Sequence, residues 1–256
     1  MSATAPIVPG AEPYVADGGS VGVLLSHGFT GSPASMVPWA RALAERGHTV
    51  RVPRLPGHGT TWREMNTTRW VDWYGALERE FLQLRDRCET VAVGGLSMGG
   101  ALALRLAALH PESVDAVVVV NPALAMGDPK LRLVPFLKWI VASTPAIGND
   151  IAKPGQDEKA YPRTPLKALH SMMQLWDDVV PRLGDVTAPL LFLRSPQDHV
   201  VDAQTLDLVR AHVGSRVTEY VDLHDSYHVA TLDHDAELIM ERSAAFIAEH
   251  AGAGHG

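Results

Sequence analysis

A single cysteine, Cys88, stands among 256 residues, so no internal disulfide can brace this fold. Long apolar runs are missing too. The longest candidate, Leu131 to Ile147, is interrupted by Arg132, Lys138 and two prolines, and falls short of the ~20 apolar residues of a membrane span. Basic residues are outnumbered, with 22 Lys plus Arg against 29 Asp plus Glu and a net charge of -7. No cationic stripe is available for a phosphate backbone, which excludes nucleic acid as a partner. Met1 to Gly19 has neither the positive n-region nor the apolar h-region of a secretory signal, so a cytoplasmic setting is expected. Internal repeats and low-complexity blocks are absent. No P-loop, dinucleotide fingerprint or H-E-x-x-H helix occurs, so we expect no metal and no cofactor.

What is present is a globular chain, 46% hydrophobic, long enough for one substantial core. Val21 to Ser26 is a continuous apolar run, as in a strand covered on both faces. A helix over about Ser35 to Arg46, a strand over Thr49 to Val52 and a helix over Trp70 to Cys88 follow, the last with apolar residues at helical spacing. Val114 to Val120 reads as a central strand. The alternation then stops and resumes at Leu190 to Leu193, with a helix over Ala203 to Ala211, a strand over Val217 to Leu223 and a helix over Asp235 to His250. This is an α/β pattern with a mostly parallel sheet. Residues 1-120 and 186-256 make the expected core, and 121-185 an inserted lid, since structureless loops of that length are rare.

The chain is organised around Val91 to Ala101, where a β-branched run breaks into glycines about one serine and resumes as a helix. Gly95, Ser97 and Gly99 match G-x-S-x-G, whose small residues allow a strand-to-helix turn tight enough to present the serine oxygen. A serine hydroxyl is a poor nucleophile unless a base lies within hydrogen-bond reach, itself oriented by a third group. Asp198 follows the strand at Leu190, and His228 lies between the last strand and the last helix, giving the order Ser97, Asp198, His228. His199, His224 and His234 are rival bases, and Asp202 is the runner-up acid, although it already suits a helix cap. The backbone N–H groups of Phe29 and Met98 are candidate oxyanion donors. His27 is expected only to brace the Phe29 loop.

Several strings resemble one family: Gly10-Ala11-Glu12-Pro13, His27-Gly28-Phe29-Thr30-Gly31-Ser32-Pro33, Pro53 to Thr60, Gly95 to Gly100, Asp198-His199-Val200-Val201 and Ser226 to Asp233. The chain resembles the bacterial monoacylglycerol lipases and, more distantly, the small carboxylesterases of the α/β-hydrolase superfamily. The resemblance implies an α/β-hydrolase fold with a small helical lid inserted after the sixth strand. It implies a serine esterase acting on monoacylglycerols, with Ser97, Asp198 and His228 as triad and Phe29 and Met98 as oxyanion donors. The segment Ile147-Gly148-Asn149-Asp150 and the following Glu158-Lys159-Ala160-Tyr161 look like that family's lid. The likeness places Ile147 at the acyl passage and Glu158 toward the glycerol hydroxyls.

The alternative function is a generalist short-chain carboxylesterase. A reading from another class is a non-catalytic lipid sensor, which would ordinarily have lost a triad or oxyanion residue. The lid residues Leu131, Leu133, Val134, Phe136, Leu137, Trp139, Ile140 and Val141 are more apolar than a surface helix needs. Packing onto the core and contact with a lipid surface both fit them. Met172, Met173 and Trp176 read as core. The expected partner is a small lipid ester, with transient membrane-surface contact through the lid and a monomer or weak homodimer in solution.

Overall fold

The computed structural model describes residues 5–146 and 148–252. A short strand β1 (Tyr14–Ala16) precedes β2 (Val21–Ser26), α1 (Val37–Ala44), β3 (Thr49–Val52), the one-turn α2 (Trp62–Met65) and α3 (Trp70–Arg85). Then come β4 (Thr90–Leu96), α4 (Met98–Leu109) and β5 (Ala116–Val120). The insertion holds α5 (Val134–Leu137), the antiparallel pair β6 (Ser143–Pro145) and β7 (Arg163–Pro165), and α6 (Leu166–Val179). The core resumes with β8 (Leu190–Arg194), α7 (Gln204–His212), β9 (Thr218–Asp222) and α8 (Ala236–His250).

Seven strands form one sheet in the order β1-β3-β2-β4-β5-β8-β9. All neighbours run parallel except β1 against β3. Successive side chains on a strand face opposite ways, so each strand feeds two cores. Leu24, Val93, Val117 and Phe192 pack with α3, α4 and α6 on one face. Val23, Leu25, Val118 and Leu193 meet Trp39 and Leu43 of α1 and Ile239 and Phe246 of α8 on the other. On α3 the buried residues Trp73, Leu77, Phe81 and Leu84 recur at helical spacing. Burying each of them fully contributes about 1.5–3 kcal/mol. Among the described residues no helix is long and apolar enough to cross a membrane.

Two expectations about the insertion need correction. It leaves the sheet after β5, because among the described residues only the short β1 precedes β2 and no further strand intervenes before β5. Nor is it purely helical, since β6 and β7 pair across it through Ser143 and Pro165. Within it α6 joins the helical layer of the core, with Ala168, Leu175 and Trp176 buried.

The strand order fixes where a site can form. From β2 the chain moves outward to β3 and returns to β4 on the other side of β2. The loops leaving the C-terminal ends of β2 and β4 therefore diverge and open a crevice, as at the switch points of other open α/β sheets. Ser26 at the end of β2 stands in register with Gly95 of β4, so the two loops start side by side.

The packing there tolerates no side chain. A Cβ on Gly99 would lie 2.1 Å from the Ser26 carbonyl oxygen, against backbone that cannot rotate away. Gly99→Ala is expected to destabilise the protein by at least the ~1–3 kcal/mol typical of overpacking, read as a lowered melting temperature. An unchanged melting temperature would show that α4 and β2 can separate without cost.

Candidate active site

Ser97 sits between β4 and α4 with φ 58° and ψ -121°, a conformation that L-residues avoid. The neighbours explain how it persists. A Cβ on Gly95 would fall 2.4 Å from the backbone carbon of Gly99, so both glycines are needed to close the turn. The Ser97 N–H donates to the Val120 carbonyl at 3.0 Å, tying the elbow to the end of β5. The loop after β2 approaches so closely that a Cβ on Gly28 would stand 3.8 Å from Ser97 Oγ.

His228 lines the same cavity as Ser97 and pairs with Asp198. His228 Nδ1 lies 2.7 Å from Asp198 Oδ2, with side chains only 9% and 5% exposed. Asp198 Oδ1 accepts from the Val200 and Val201 N–H groups at 2.7 and 2.8 Å, which fixes the carboxylate plane. Burial works against a charged imidazole at His228. The hydrogen bond and charge of Asp198, joined by the charges of Glu158 and Asp150, outweigh it and raise the pKa above the ordinary imidazole value. Because the folded value is the higher one, the protonated ring stabilises the fold below pH ~6.5, and that contribution fades as pH rises through the raised value.

The rivals are engaged elsewhere. His199 directs Nδ1 to Asp150 at 2.8 Å. His224 and His234 are exposed and do not line the cavity containing Ser97. Asp202 accepts from the Gly127 and Gln204 N–H groups, joining the start of the insertion to α7.

Ser97, His228, Phe29 and Glu158 line one cavity of about 230 Å³. Its apolar wall includes Met126, Leu131, Leu169 and Met172. Met172, read from the sequence as core rather than as an acyl contact, is buried in the core and also lines this cavity. Met98 is the first residue of α4, where backbone N–H groups lack intrahelical acceptors. Burial holds the Glu158 carboxyl above the ordinary carboxylate range, against the opposing effects of a hydrogen bond from Asn149 and the charge of His228. Glu158 Oε1 accepts from the Asn149 N–H while Asn149 Oδ1 accepts from the Glu158 N–H, both at 3.0 Å. Ile147 lies outside the described residues.

His27 braces the Phe29 loop. Burial pushes its pKa down to about 4, so the ring is neutral. Nε2 accepts from the Leu55 N–H at 3.2 Å, which leaves Nδ1 to carry the proton and donate to the Gly28 carbonyl at 3.0 Å.

Sequence reasoning missed Asn121. Directly after β5 it adopts φ 43°, and its Nδ2 donates to the His228 carbonyl at 2.8 Å and to Ser195 Oγ at 3.0 Å. Its Oδ1 accepts from the Ser195 N–H at 2.7 Å. Asp233 was also missed, and its buried carboxylate accepts from the N–H groups of Ala152, Lys153 and Tyr227. The available signals were an Asn-Pro step at a strand end and an acid five residues beyond His228.

A parallel sheet covered on both faces, with a strained serine elbow ending a central strand, is the architecture of an α/β hydrolase, and residues 22–146 match the family described as alpha/beta hydrolase fold. Over 98% of this chain and 100% of the relative, the sequence is 42% identical to a thermostable monoacylglycerol lipase of Bacillus sp. (strain H-257). It is 25% identical to a carboxylesterase of Bacillus subtilis (strain 168), over 92% of this chain and 96% of that protein. A solved structure from work on LipS and LipT, metagenome-derived lipolytic enzymes, superposes with a TM-score of 0.93 at 42% identity, covering 96% of this chain and 100% of that one. The protein belongs to the bacterial monoacylglycerol lipase family of α/β hydrolases. It is a serine-type carboxylic ester hydrolase.

The His228 environment has a direct readout. In an NMR titration its imidazole should titrate above the ~6.5 of a free side chain, and Asp198→Asn should move that midpoint downward. A midpoint that ignores Asp198→Asn would dissociate the pair.

Proposed function

We propose that the protein hydrolyses monoacylglycerols to glycerol and free fatty acid through an acyl-Ser97 intermediate. The observation that carries this reading is that His228, paired with Asp198, lines the same cavity as Ser97, with an apolar wall and a buried carboxyl at Glu158. The likeness to the Bacillus lipase along the whole chain supports the substrate class.

Ser97 Oγ attacks the ester carbonyl carbon as His228 Nε2 takes its proton, while Asp198 holds the ring by Nδ1 and stabilises its cation. The carbonyl electron pair moves onto oxygen, where the Phe29 and Met98 N–H groups receive it. Collapse breaks the bond to glycerol, whose oxygen takes the proton from Nε2. Water, deprotonated by the same nitrogen, then attacks the acyl carbon, releases the fatty acid and restores Ser97. Glu158 meets the glycerol hydroxyls.

The purified enzyme should release fatty acid from monoacylglycerols much faster than from the matching di- and triacylglycerols, and Ser97→Ala should abolish it. Glu158→Gln should raise KM for monoacylglycerol about tenfold while sparing a short nitrophenyl ester, the loss of one charge-assisted contact costing ~1.5 kcal/mol or more. Turnover of the nitrophenyl ester alone would instead assign a generalist carboxylesterase.

The proposal extends to the enzyme's surroundings: the cytoplasmic setting expected from the sequence, a monomer or weak dimer, and transient contact of the insertion with lipid surfaces. Phe136, Trp139 and Ile140 are 73%, 74% and 83% exposed, beside Lys130, Arg132 and Lys138 on a chain of net charge -7. Contiguous apolar exposure of this kind marks interaction sites. Replacing Trp139 and Ile140 by serine should slow hydrolysis of vesicle-borne monoacylglycerol several-fold with little effect on a soluble ester. Equal losses on both substrates would sink the surface-contact role.

A further inference from the structure

Asp150 belongs to the insertion, yet it bonds to the two loops that carry Asp198 and His228. Its Oδ2 accepts from the His228 N–H at 3.1 Å and from the His199 N–H at 3.3 Å. Its Oδ1 lies 2.8 Å from His199 Nδ1. Its carbonyl accepts from the Val229 N–H at 3.0 Å. One carboxylate thus spans the loop after β8, next to Asp198, and the loop after β9. The clamp is returned from the other side, where Asp233 takes the N–H groups of Ala152 and Lys153 as well as that of Tyr227. The His228 backbone is therefore held at both ends, its N–H by Asp150 and its carbonyl by Asn121.

We propose that Asp150 is a positioning residue for the acid–base pair: its carboxylate sets the spacing of the Asp198 and His228 loops, so the insertion helps to fix the reach of His228 toward Ser97. The physical argument is that a backbone N–H donating to a largely buried carboxylate makes a charge-assisted bond, stronger than a neutral one and less easily exchanged for water. The side chain of Asp150 is 12% exposed, so little solvent competes. A misplacement of the base by ~1 Å can cost about 100-fold in rate, which gives such a brace a large kinetic readout. Asp150 also lines the Ser97 cavity. The charged groups facing His228 are Asp198 from the loop after β8 and Glu158 and Asp150 from the insertion. His199 faces Asp150 from the loop after β8.

The inference rests on the triad reading, and the test separates the two. Wild type, Asp150→Asn, Asp150→Ala, His199→Ala and Ser97→Ala are compared as full chains on a monoacylglycerol and a short nitrophenyl ester across pH, with melting temperatures. Asp150→Asn should lower kcat about 10- to 100-fold on both esters with KM nearly unchanged, in keeping with a displaced base. It should also shift the acid limb of kcat/KM to lower pH, because a negative charge favouring the His228 cation is gone. His199→Ala leaves the carboxylate and its amide partners in place, so it should cost only a few-fold and leave the limb where it was. If Asp150→Ala fails to fold, the near-isosteric Asp150→Asn decides. Wild-type kcat in Asp150→Asn, an effect on KM alone, or a rate loss with an unmoved acid limb would each overturn the positioning role. Activity surviving in Ser97→Ala would overturn the triad reading instead, whatever Asp150 does.

Discussion

The backbone at Ser97 is the constraint on which the rest of the site depends. Holding a non-glycine residue at φ 58° and ψ -121° costs about 1–3 kcal/mol and needs a surrounding that over-determines it. That surrounding is the close meeting of β2, β4 and α4, where Gly95 and Gly99 bring backbone to backbone at distances no Cβ survives. The apolar sheet supplies the free energy that holds these elements together. The same contact places the end of β2 beside the elbow, so the Phe29 loop lies against Ser97 as a consequence of packing.

Around the elbow, buried polar groups are arranged so that each loop has one conformation. His27 is neutral because it is buried, and a neutral ring can accept from one loop and donate to its own. Asn121 occupies a similar place between the ends of β5 and β8 and the His228 loop. Removing one member of such a network strands its partners in a dry interior, which costs more than the net worth of the bond. Rigidity here is the product of satisfied hydrogen bonds, and it is what a preorganised acid–base site requires.

The insertion has two characters. Its middle exposes Leu133, Phe136, Leu137, Trp139, Ile140 and Val141, while residues 149–161 are bound to the loops that carry Asp198 and His228 and to the loop after β3. Tyr161 makes the last of these links, accepting from the Thr60 N–H and donating to the Gly57 carbonyl. An exposed apolar surface is thus covalently continuous with a segment bonded to the Asp198 and His228 loops.

The α/β alternation, the elbow and the order Ser97, Asp198, His228 were legible in the sequence because each rests on local features. Strands show as β-branched runs, the turn needs glycine at fixed offsets, and Ser97, Asp198 and His228 each lie in the turn or loop that follows a strand. The sequence alone also determined that no disulfide framework builds this protein. Tertiary structure alone decided the roles of Asn121, Asp150 and Asp233. Their partners are backbone groups that lie, respectively, 107, 78 and 81 residues away, and a backbone N–H or carbonyl leaves no mark on the residue that bears it. Which residues between β5 and β8 stay exposed was decided there as well, since Val134 and Phe136 are alike in sequence terms but only the first is buried. Local periodicity specifies the elements and their order, whereas hydrogen bonds across large sequence separations exist only once the sheet has brought the loop ends together.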